Sequence, residues 1–413
     1  MAECQSAHRD FGDHPLRYVW RAALAIADEA QQGVFASFVE SELGDLLCAA
    51  GDPGGVGGVH EVERRLGASL SPERLTNLGQ RGAGPEVVAE ARKVVDALGL
   101  ALEWHELPWG TEHYHRSGSM MPDDALDVVR RHDAVLLGAV GHPSVPDHVT
   151  LWGLLLPLRQ RLDLWANVRP ARLLDGVPSP LAGRPAVDMV FVRENTEGEY
   201  SGIGGRAHRG LDLEVGIETS VFTRAAVRRV IEYAFRLAGE RRGVVTSATK
   251  SNASRYGYVL WDEVAEEVAA DHPDVRYERV LVDALAARMV RSPMTLDVVV
   301  ASNLFGDVLT DIAAELQGGM GVAASASIAP GSGVPGIFEP VHGSAPDIAG
   351  KGIANPVGAI WSASLMLEHL GEGDAARRVM QALEAACREG LLTRDLGGPA
   401  STSEVGDAVA RLV

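Results

Sequence analysis

The sequence predicts an α/β fold in two domains or one large lobed unit, built on a large, mostly parallel sheet, with an N-terminal extension of helical pattern. Three observations lead there. From about residue 82 onward, short β-branched runs alternate with helical patterns, the pattern of strands joined by crossover helices. Most of the apolar runs end in polar residues, and α/β sheets gather ligands outside the carboxyl ends of their strands. With 413 residues and 46% apolar composition, the chain can bury a core large enough for two domains or one lobed unit.

In chain order, residues 1–74 read differently from the rest. "HPLRYVWRAALAIADEAQQGVFASFVESELGDLLCAAG" carries a helical pattern, and "GDPGGVGGV" after it has linker composition. No chemical motif stands there, and an appended helical module, a disordered extension and an incorrectly chosen start are all open. "GPEVVAEARKVVDAL" from Gly84 predicts a helix, and "DAVLLGAVG" (Asp133 to Gly141) and "DMVFVREN" (Asp188 to Asn195) predict buried strands. "TRAAVRRVIEYAFRLAG" from Thr223 is amphipathic. "RGVVTSATK" (Arg242 to Lys250), "YERVLVDA" (Tyr277 to Ala284) and "DVVVASN" (Asp297 to Asn303) predict three more strands. "NPVGAIWSASLMLEHLG" opens with Asn-Pro and closes with Gly, the start and stop chemistry of a helix.

Composition excludes several functions. A net charge of -18 argues against a nucleic-acid partner, which would need clustered Lys and Arg. Three widely spaced cysteines (Cys4, Cys48, Cys387) suggest neither a disulfide framework nor a Cys-based zinc site, so a reducing cytoplasm is the expected compartment. No apolar run reaches membrane-spanning length and no signal peptide is recognisable, so no membrane role is expected.

"DVVVASNLFGDVLTDIAAELQG" sets Asp307 and Asp311 one turn apart on a helix. An acidic pair at this spacing is usually a solvated face, because the two charges repel. Here the pair lies in the first turns of a helix that leaves a strand end, where the helix dipole favours carboxylates. Asp283 closes the "VLVDA" run in the same polar position as Asn303. Three such acids, without nearby His or Cys, are hard oxygen ligands suited to Mg²⁺ or Mn²⁺.

Arg159, Arg169 and Arg193 supply complementary charge, since planar guanidinium groups pair bidentately with carboxylates. Arg193 directly follows the buried run "MVFV". Tyr200 and Lys250 are candidate proton carriers, provided burial or a neighbouring charge tunes them. "FEPVHGSAPDIAGKGIANP" (Phe338 to Pro356) is a Gly-rich stretch before a helix, the composition of a backbone cradle for phosphate or adenosine.

Together these stretches closely resemble the isocitrate/isopropylmalate dehydrogenase family of metal-dependent oxidative decarboxylases, over about four fifths of the chain. The motifs that carry the resemblance occur in the right order: "GPEVV", "LRQRLDLWANVRP", "VRENTEGEYSG", "TSATKSN", "VDALAARMVRSP", "NLFGDVLTDIAAEL" and "EPVHGSAPDIAGKGIANP". The resemblance implies an isopropylmalate-dehydrogenase-like two-domain sandwich. Residues 75–164 and 319–413 would form the cofactor side and 165–318 the dimerisation and metal/substrate domain.

It also implies roles. Asp283, Asp307 and Asp311 would bind Mn²⁺ or Mg²⁺, with Asp283 coming from the other subunit of a homodimer. Arg159, Arg169 and Arg193 would clamp the carboxylates of a small dicarboxylate substrate. Lys250, again across the interface, would take the 2-hydroxyl proton, and Tyr200 would protonate the enol. His342, Gly343, Ser344, Ala345, Pro346, Asp347, Ile348 and Asn355 would hold NAD. Asp347 can accept hydrogen bonds from a ribose diol but would repel a 2'-phosphate, which favours NAD over NADP. A potassium ion is a further candidate that these residues do not decide.

The substrate follows from "DHVTLWGLLLPLR". Trp152 stands where isopropylmalate enzymes show Glu, and Leu155 where isocitrate enzymes show Asn. With "ELPWGTEHYHRSGSMMPDD" and "GAIWSASLMLEHLG", this segment is most similar to the tartrate dehydrogenase and decarboxylating D-malate dehydrogenase branch. A bulky indole plus leucines would fill the space of a larger C3 substituent, so a four-carbon 2-hydroxy diacid is expected. A 3-isopropylmalate dehydrogenase, and a catalytically impaired relative that binds a dicarboxylate or a partner, are the alternatives. The chain departs from the family in "SPERLTNLGQRGAGPEVV", where Arg81 replaces the Asp of the usual loop and "ERLTNLGQ" is a poor buried strand. Either "RLTNL" still pairs in the sheet or the N-terminal extension substitutes for it.

Overall fold

Among the described residues, ten strands form one mixed sheet. The computed structural model describes residues 73–78 and 82–413. Expectations for the N-terminal extension lie outside the described residues, except that Glu73 and Arg74 open a strand, and Arg81 lies outside them too. The first half contains β1 (Glu73–Leu78), α1 (Gly84–Ala97), β2 (Leu102–Leu107) and β3 (Ala134–Leu137). A π-helical turn (Leu151–Leu155) then runs into α2 (Leu156–Arg161), followed by β4 (Ala166–Arg172) and β5 (Asp188–Glu194). Two strands, β6 (Gly198–Ala207) and β7 (Val215–Val221), form a separate antiparallel ribbon.

After the ribbon come α3 (Arg224–Gly239), β8 (Val244–Thr249), α4 (Gly257–Asp271), β9 (Arg276–Leu281), α5 (Val282–Arg291), β10 (Val298–Ala301) and α6 (Asn303–Leu316). The chain then returns to the first half with β11 (Ala324–Ile328) and β12 (Gly336–Pro340), and finishes with α7 (Val357–His369), α8 (Gly373–Arg388) and α9 (Thr402–Leu412).

"RLTNL" pairs. β1 lies parallel between β2 and β3, although it reads as a poor strand. Leu75 and Thr76 are fully buried, and the threonine hydroxyl donates to the His105 carbonyl at 2.9 Å. A buried hydroxyl with a partner costs little, so the polar residue does not break the strand.

The strands of the large sheet lie in the order β2-β1-β3-β12-β11-β4-β5-β10-β8-β9; six of its nine pairings are parallel, and the three antiparallel ones (β12-β11, β11-β4, β4-β5) sit together mid-sheet. Strands β3 and β10 read "AVLL" and "VVVA" and are buried throughout, as expected where helices cover both faces. Helix α1 buries Val87, Val88, Ala91, Val94 and Val95, the one-face spacing of an amphipathic helix, with Pro85 pre-set in its first turn. Helix α6 is capped by Ser302, whose side chain accepts from Phe305 N. Helix α9 begins with a capping box between Ser401 and Glu404.

Candidate active site

A cavity of about 310 Å³ opens where β3, β5 and β12 end and α6 begins, and Arg159, Arg169, Arg193, Tyr200, Asp307 and Glu339 are among the residues that line it. Strand β5 delivers Arg193 at its penultimate position, 2% exposed. Arg193 Nε and Nη2 both donate to Asn303 Oδ1, at 3.0 and 2.7 Å, and Nη1 donates to Asp307 Oδ1. Asn303, Asp307, Thr310 and Asp311 fall at the spacing that puts them along one face of α6. Strand β4 brings Arg169, whose Nε donates to Asn167 Oδ1 at 2.7 Å and Nη1 to Thr310 Oγ1 at 2.6 Å, with Nη2 3.3 Å from Asp307 Oδ1. Two buried guanidinium groups therefore share one carboxylate.

Arg159 comes from α2 and pairs with Glu339 of β12, Nη2 to Oε1 2.5 Å, both side chains buried. Its Nε is buried without a partner. Tyr200 of β6 donates to Asp307 Oδ2 at 3.3 Å, and Arg193 stacks over its ring at 5.6 Å.

Electrostatics follow from this packing. Burial lowers the Arg193 pKa to about 9, helped by the like charge of Arg169 and opposed by Asp307, and the group stays protonated at neutral pH. Burial likewise lowers Arg169 against the pull of Asp307. For Asp307, burial pushes the carboxyl up, but Arg193, Arg169 and Arg159 outweigh it and hold the group below the usual carboxylate range. Asp311 moves the other way, raised by burial and by Asp307 one turn before it. Burial and the Asp307 charge raise Tyr200, so its phenol stays protonated at neutral pH.

Lys250 and Asp283 are brought together elsewhere. Lys250 follows β8, and its Nζ lies 2.9 Å from Asp283 Oδ1, a hydrogen bond that holds the aspartate below its ordinary pKa. The sequence reading puts Asp283 at the end of a strand neighbouring that of Asn303. In the fold, Asp283 sits instead in the first turn of α5, and β8 separates β9 from β10. Among the described residues of one chain, no three acids, histidines or cysteines gather as a metal cluster. Asp307 and Asp311 nevertheless offer a divalent ion hard oxygens, and among the described residues Asp311 has no side-chain hydrogen bond or ion pair.

The Gly-rich stretch forms a loop after β12. His342 lines the cavity, with Nδ1 3.0 Å from the Gly343 carbonyl. Its Nε2 is buried and unpartnered, and burial lowers its pKa. The loop is knitted to the start of α1: Ala83 N donates to Ser344 O at 2.7 Å, and Glu86 accepts from Gly350 N and, at 3.2 Å, from Gly352 N. Ala345 lies in the left-handed region at φ 41°. Gly343, Pro346 and Asp347 are exposed, while Ile348 packs against the core. The orphaned His342 nitrogen and the open edge of this loop are suited to a nucleotide. Asn355 turns inward instead, donating to Asp395 Oδ2 at 2.9 Å and accepting from Val357 N at 3.0 Å.

Sequence reasoning misses Glu339, Asn303, Thr310 and Asn167. The signal for Asn303 and Thr310 is their helical spacing with Asp307. Glu339 is hidden in a stretch that reads as a phosphate cradle, where an acid looks out of place.

The sequence profile of the isocitrate/isopropylmalate dehydrogenase family matches residues 74–409. The chain belongs to this family. Its similarity to individual members is high. A probable tartrate dehydrogenase/decarboxylase of Agrobacterium vitis is 52% identical over 340 residues, which are 80% of this chain and 95% of the relative. The decarboxylating D-malate dehydrogenase of Escherichia coli (strain K12) is 46% identical over 354 residues, covering 82% and 98%. The crystal structure of isocitrate dehydrogenase from Methylococcus capsulatus superposes with a TM-score of 0.76 at 37% identity, covering 82% of this chain and 98% of the other. A dehydrogenase family gives the arginine cluster and Tyr200 a chemical context: three guanidinium groups around one cavity suit an anion of more than one carboxylate.

Proposed function

We propose that this protein catalyses the NAD- and divalent-metal-dependent oxidative decarboxylation of a four-carbon 2-hydroxy diacid of the D-malate or tartrate type. The observation that carries the reading is the buried set Arg159, Arg169 and Arg193 around a cavity of about 310 Å³ walled by Trp152, Leu151 and Leu155. That volume is at the small end for ligand pockets, and bulky apolar side chains take up part of its wall. The relatives named for tartrate and D-malate support the same substrate class.

The arginines hold and orient the substrate carboxylates. Asp307 and Asp311 from one chain, with Asp283 of a second, provide the ligands for Mn²⁺ or Mg²⁺. Lys250 takes the 2-hydroxyl proton, and Tyr200, kept protonated by burial beside Asp307, returns a proton to the enol carbon after CO₂ departs. The bound groups supply Lewis-acid stabilisation of developing negative charge and a hydride acceptor. His342 to Ile348 carry NAD, with Asp347 facing the ribose diol.

A homodimer with shared sites fits two features. Lys250 and Asp283 form no cluster with Asp307 and Asp311 within one chain. Ile203, Leu213 and Ile217 of the β6-β7 ribbon and Val308 of α6 are exposed apolar residues that a second copy would cover. Among the described residues no helix is long and apolar enough to cross a membrane. Cytoplasmic residence is the compartment we propose, and Cys387 is a free, buried thiol.

The test is NADH production by the full chain from D-malate, tartrate, 3-isopropylmalate and isocitrate with Mn²⁺, with and without K⁺. Fastest turnover of a four-carbon acid is expected. Fastest turnover of isocitrate or 3-isopropylmalate would overturn the substrate assignment, and no turnover of any would favour a binding protein.

A further inference from the structure

Trp152 sits in the π-helical turn Leu151–Leu155, closed by the bond from Leu156 N to Leu151 O, and lines the cavity with its side chain 43% exposed. Such wide turns recur at functional sites because they re-aim side chains out of the regular helical stagger. The indole does not stand free. Its six-membered edge lies on the bare backbone of Gly202 in β6: a Cβ there would come 2.5 Å from Trp152 Cη2 and 2.8 Å from Cζ3. Gly202 also has φ 73°, a conformation L side chains rarely adopt.

The turn is braced around this contact. On its other flank Gly153 closes on Met120, where a Cβ would meet Cγ at 2.6 Å. Just beyond it, Gln160 Nε2 donates to the Tyr200 carbonyl at 3.0 Å. The same strand therefore presents the Tyr200 phenol to Asp307, anchors α2 through its backbone and seats the indole two residues on.

We propose that Gly202 is a specificity-determining residue, acting as the seat that draws the Trp152 indole back against β6 and so fixes the space left beside C3 of the substrate. This rests on the four-carbon hydroxy-diacid reading above. A methyl at residue 202 would lift the ring off the strand and toward the cavity. Substrates with a group on C3 lose more than D-malate does, because an apolar pocket discriminates by added bulk.

The experiment is a double-mutant cycle in the full chain with D-malate and 3-methylmalate. Gly202→Ala is expected to lower the kcat/KM ratio of 3-methylmalate to D-malate by roughly tenfold, the scale of one misplaced methylene. In a Trp152→Leu background the same change should leave the ratio within about twofold, since the group it displaces is gone. Equal losses for both acids, or the same shift in both backgrounds, would overturn the proposal.

Should Gly202→Ala not fold, addition of Trp152→Leu is expected to restore soluble protein, and failure to do so would overturn the proposal by assigning the defect to the backbone. Tryptophan emission and acrylamide quenching provide a readout without turnover. Gly202→Ala should alter both in the native background and neither in Trp152→Phe. An unchanged signal in the native background overturns the seat. A native enzyme that turns over neither acid overturns the substrate reading alone, because the emission cycle still decides the contact.

Discussion

Arg159 and Glu339 form a buried ion pair, 2.5 Å from Nη2 to Oε1, that joins α2 to β12 beneath the cavity. Removing one member of such a pair leaves an uncompensated buried charge, which typically costs about 3 to 5 kcal/mol. Glu339→Gln should therefore lower unfolding free energy by several kcal/mol in denaturant titration. It should also raise KM for the diacid more than it lowers kcat, because Arg159 loses its orientation. An unchanged midpoint would mean the carboxylate is held by something else.

Arg193 depends on geometry as much as on charge. Its fork engages Asn303 twice and Asp307 once, which a lysine ammonium cannot reproduce. Arg193→Lys should lower kcat/KM by about 100-fold or more, since each charge-assisted bond contributes roughly 1.5 to 3 kcal/mol. Steady-state kinetics against wild type are the check, and a loss below about fivefold would show that charge alone suffices.

The metal site makes a paired prediction. Asp311 is raised by burial and by Asp307, so in the metal-free chain its ionised form opposes folding. With the folded pKa above the unfolded one, this penalty is absent below pH 3.8 and grows as pH rises through the folded value. Asp311→Asn should thus stabilise the EDTA-treated protein at pH 7 by about 0.2 to 0.5 kcal/mol. Mn²⁺ is expected to raise the Tm of wild type and to leave that of Asp311→Asn unchanged. An unchanged wild-type Tm on chelation, with and without substrate, would argue that the pair holds no ion.

Acid stability should depend on His342 and His369. Burial lowers both imidazoles below their ordinary value of 6.5, so the folded chain keeps them neutral. As pH falls below about 6.5, the unfolded chain binds protons first, and stability declines until the folded pKa values are passed. His342→Gln and His369→Gln should each flatten that decline in urea titrations at pH 7.5, 6.5 and 5.5. Parallel curves for wild type and both variants would assign the acid arm to carboxylates.

Cofactor preference gives the last test. Asp347 is exposed on the loop after β12, with Ile348 beside it. Replacing the pair by Asp347→Lys and Ile348→Tyr removes the charge that would repel a 2'-phosphate and should shift the kcat/KM ratio toward NADP. A ratio that stays put would overturn the assignment of this edge to the ribose.

Most of the sheet was legible wherever strands are buried on both faces. Strands β3, β8 and β10, and the Met189–Val192 run of β5, consist of apolar or small residues for that reason. Strands β4 and β11 escaped because they bury polar residues that satisfy one another: Asn167 donates to Ser327 Oγ at 3.1 Å. The β6-β7 ribbon escaped because its Gly-rich, exposed sequence carries no core-facing alternation. Within the site, Arg193 was readable from the apolar run before it. Glu339 was not, since its partner Arg159 lies 180 residues away and no local pattern links them.

Strand β3 has two neighbours, β1 and β12, and β12 is made about two hundred residues later. In the order of synthesis, the inner edge of β3 has no sheet partner until residues 336–340 are made. Strand β4 waits equally for β11. The middle pairings of the sheet therefore depend on a segment made after both of its flanks. An open parallel edge of this kind invites mispairing with another nascent chain, so the speed with which the segment from Ala324 to Pro340 is delivered sets how much of the newly made protein reaches its native state.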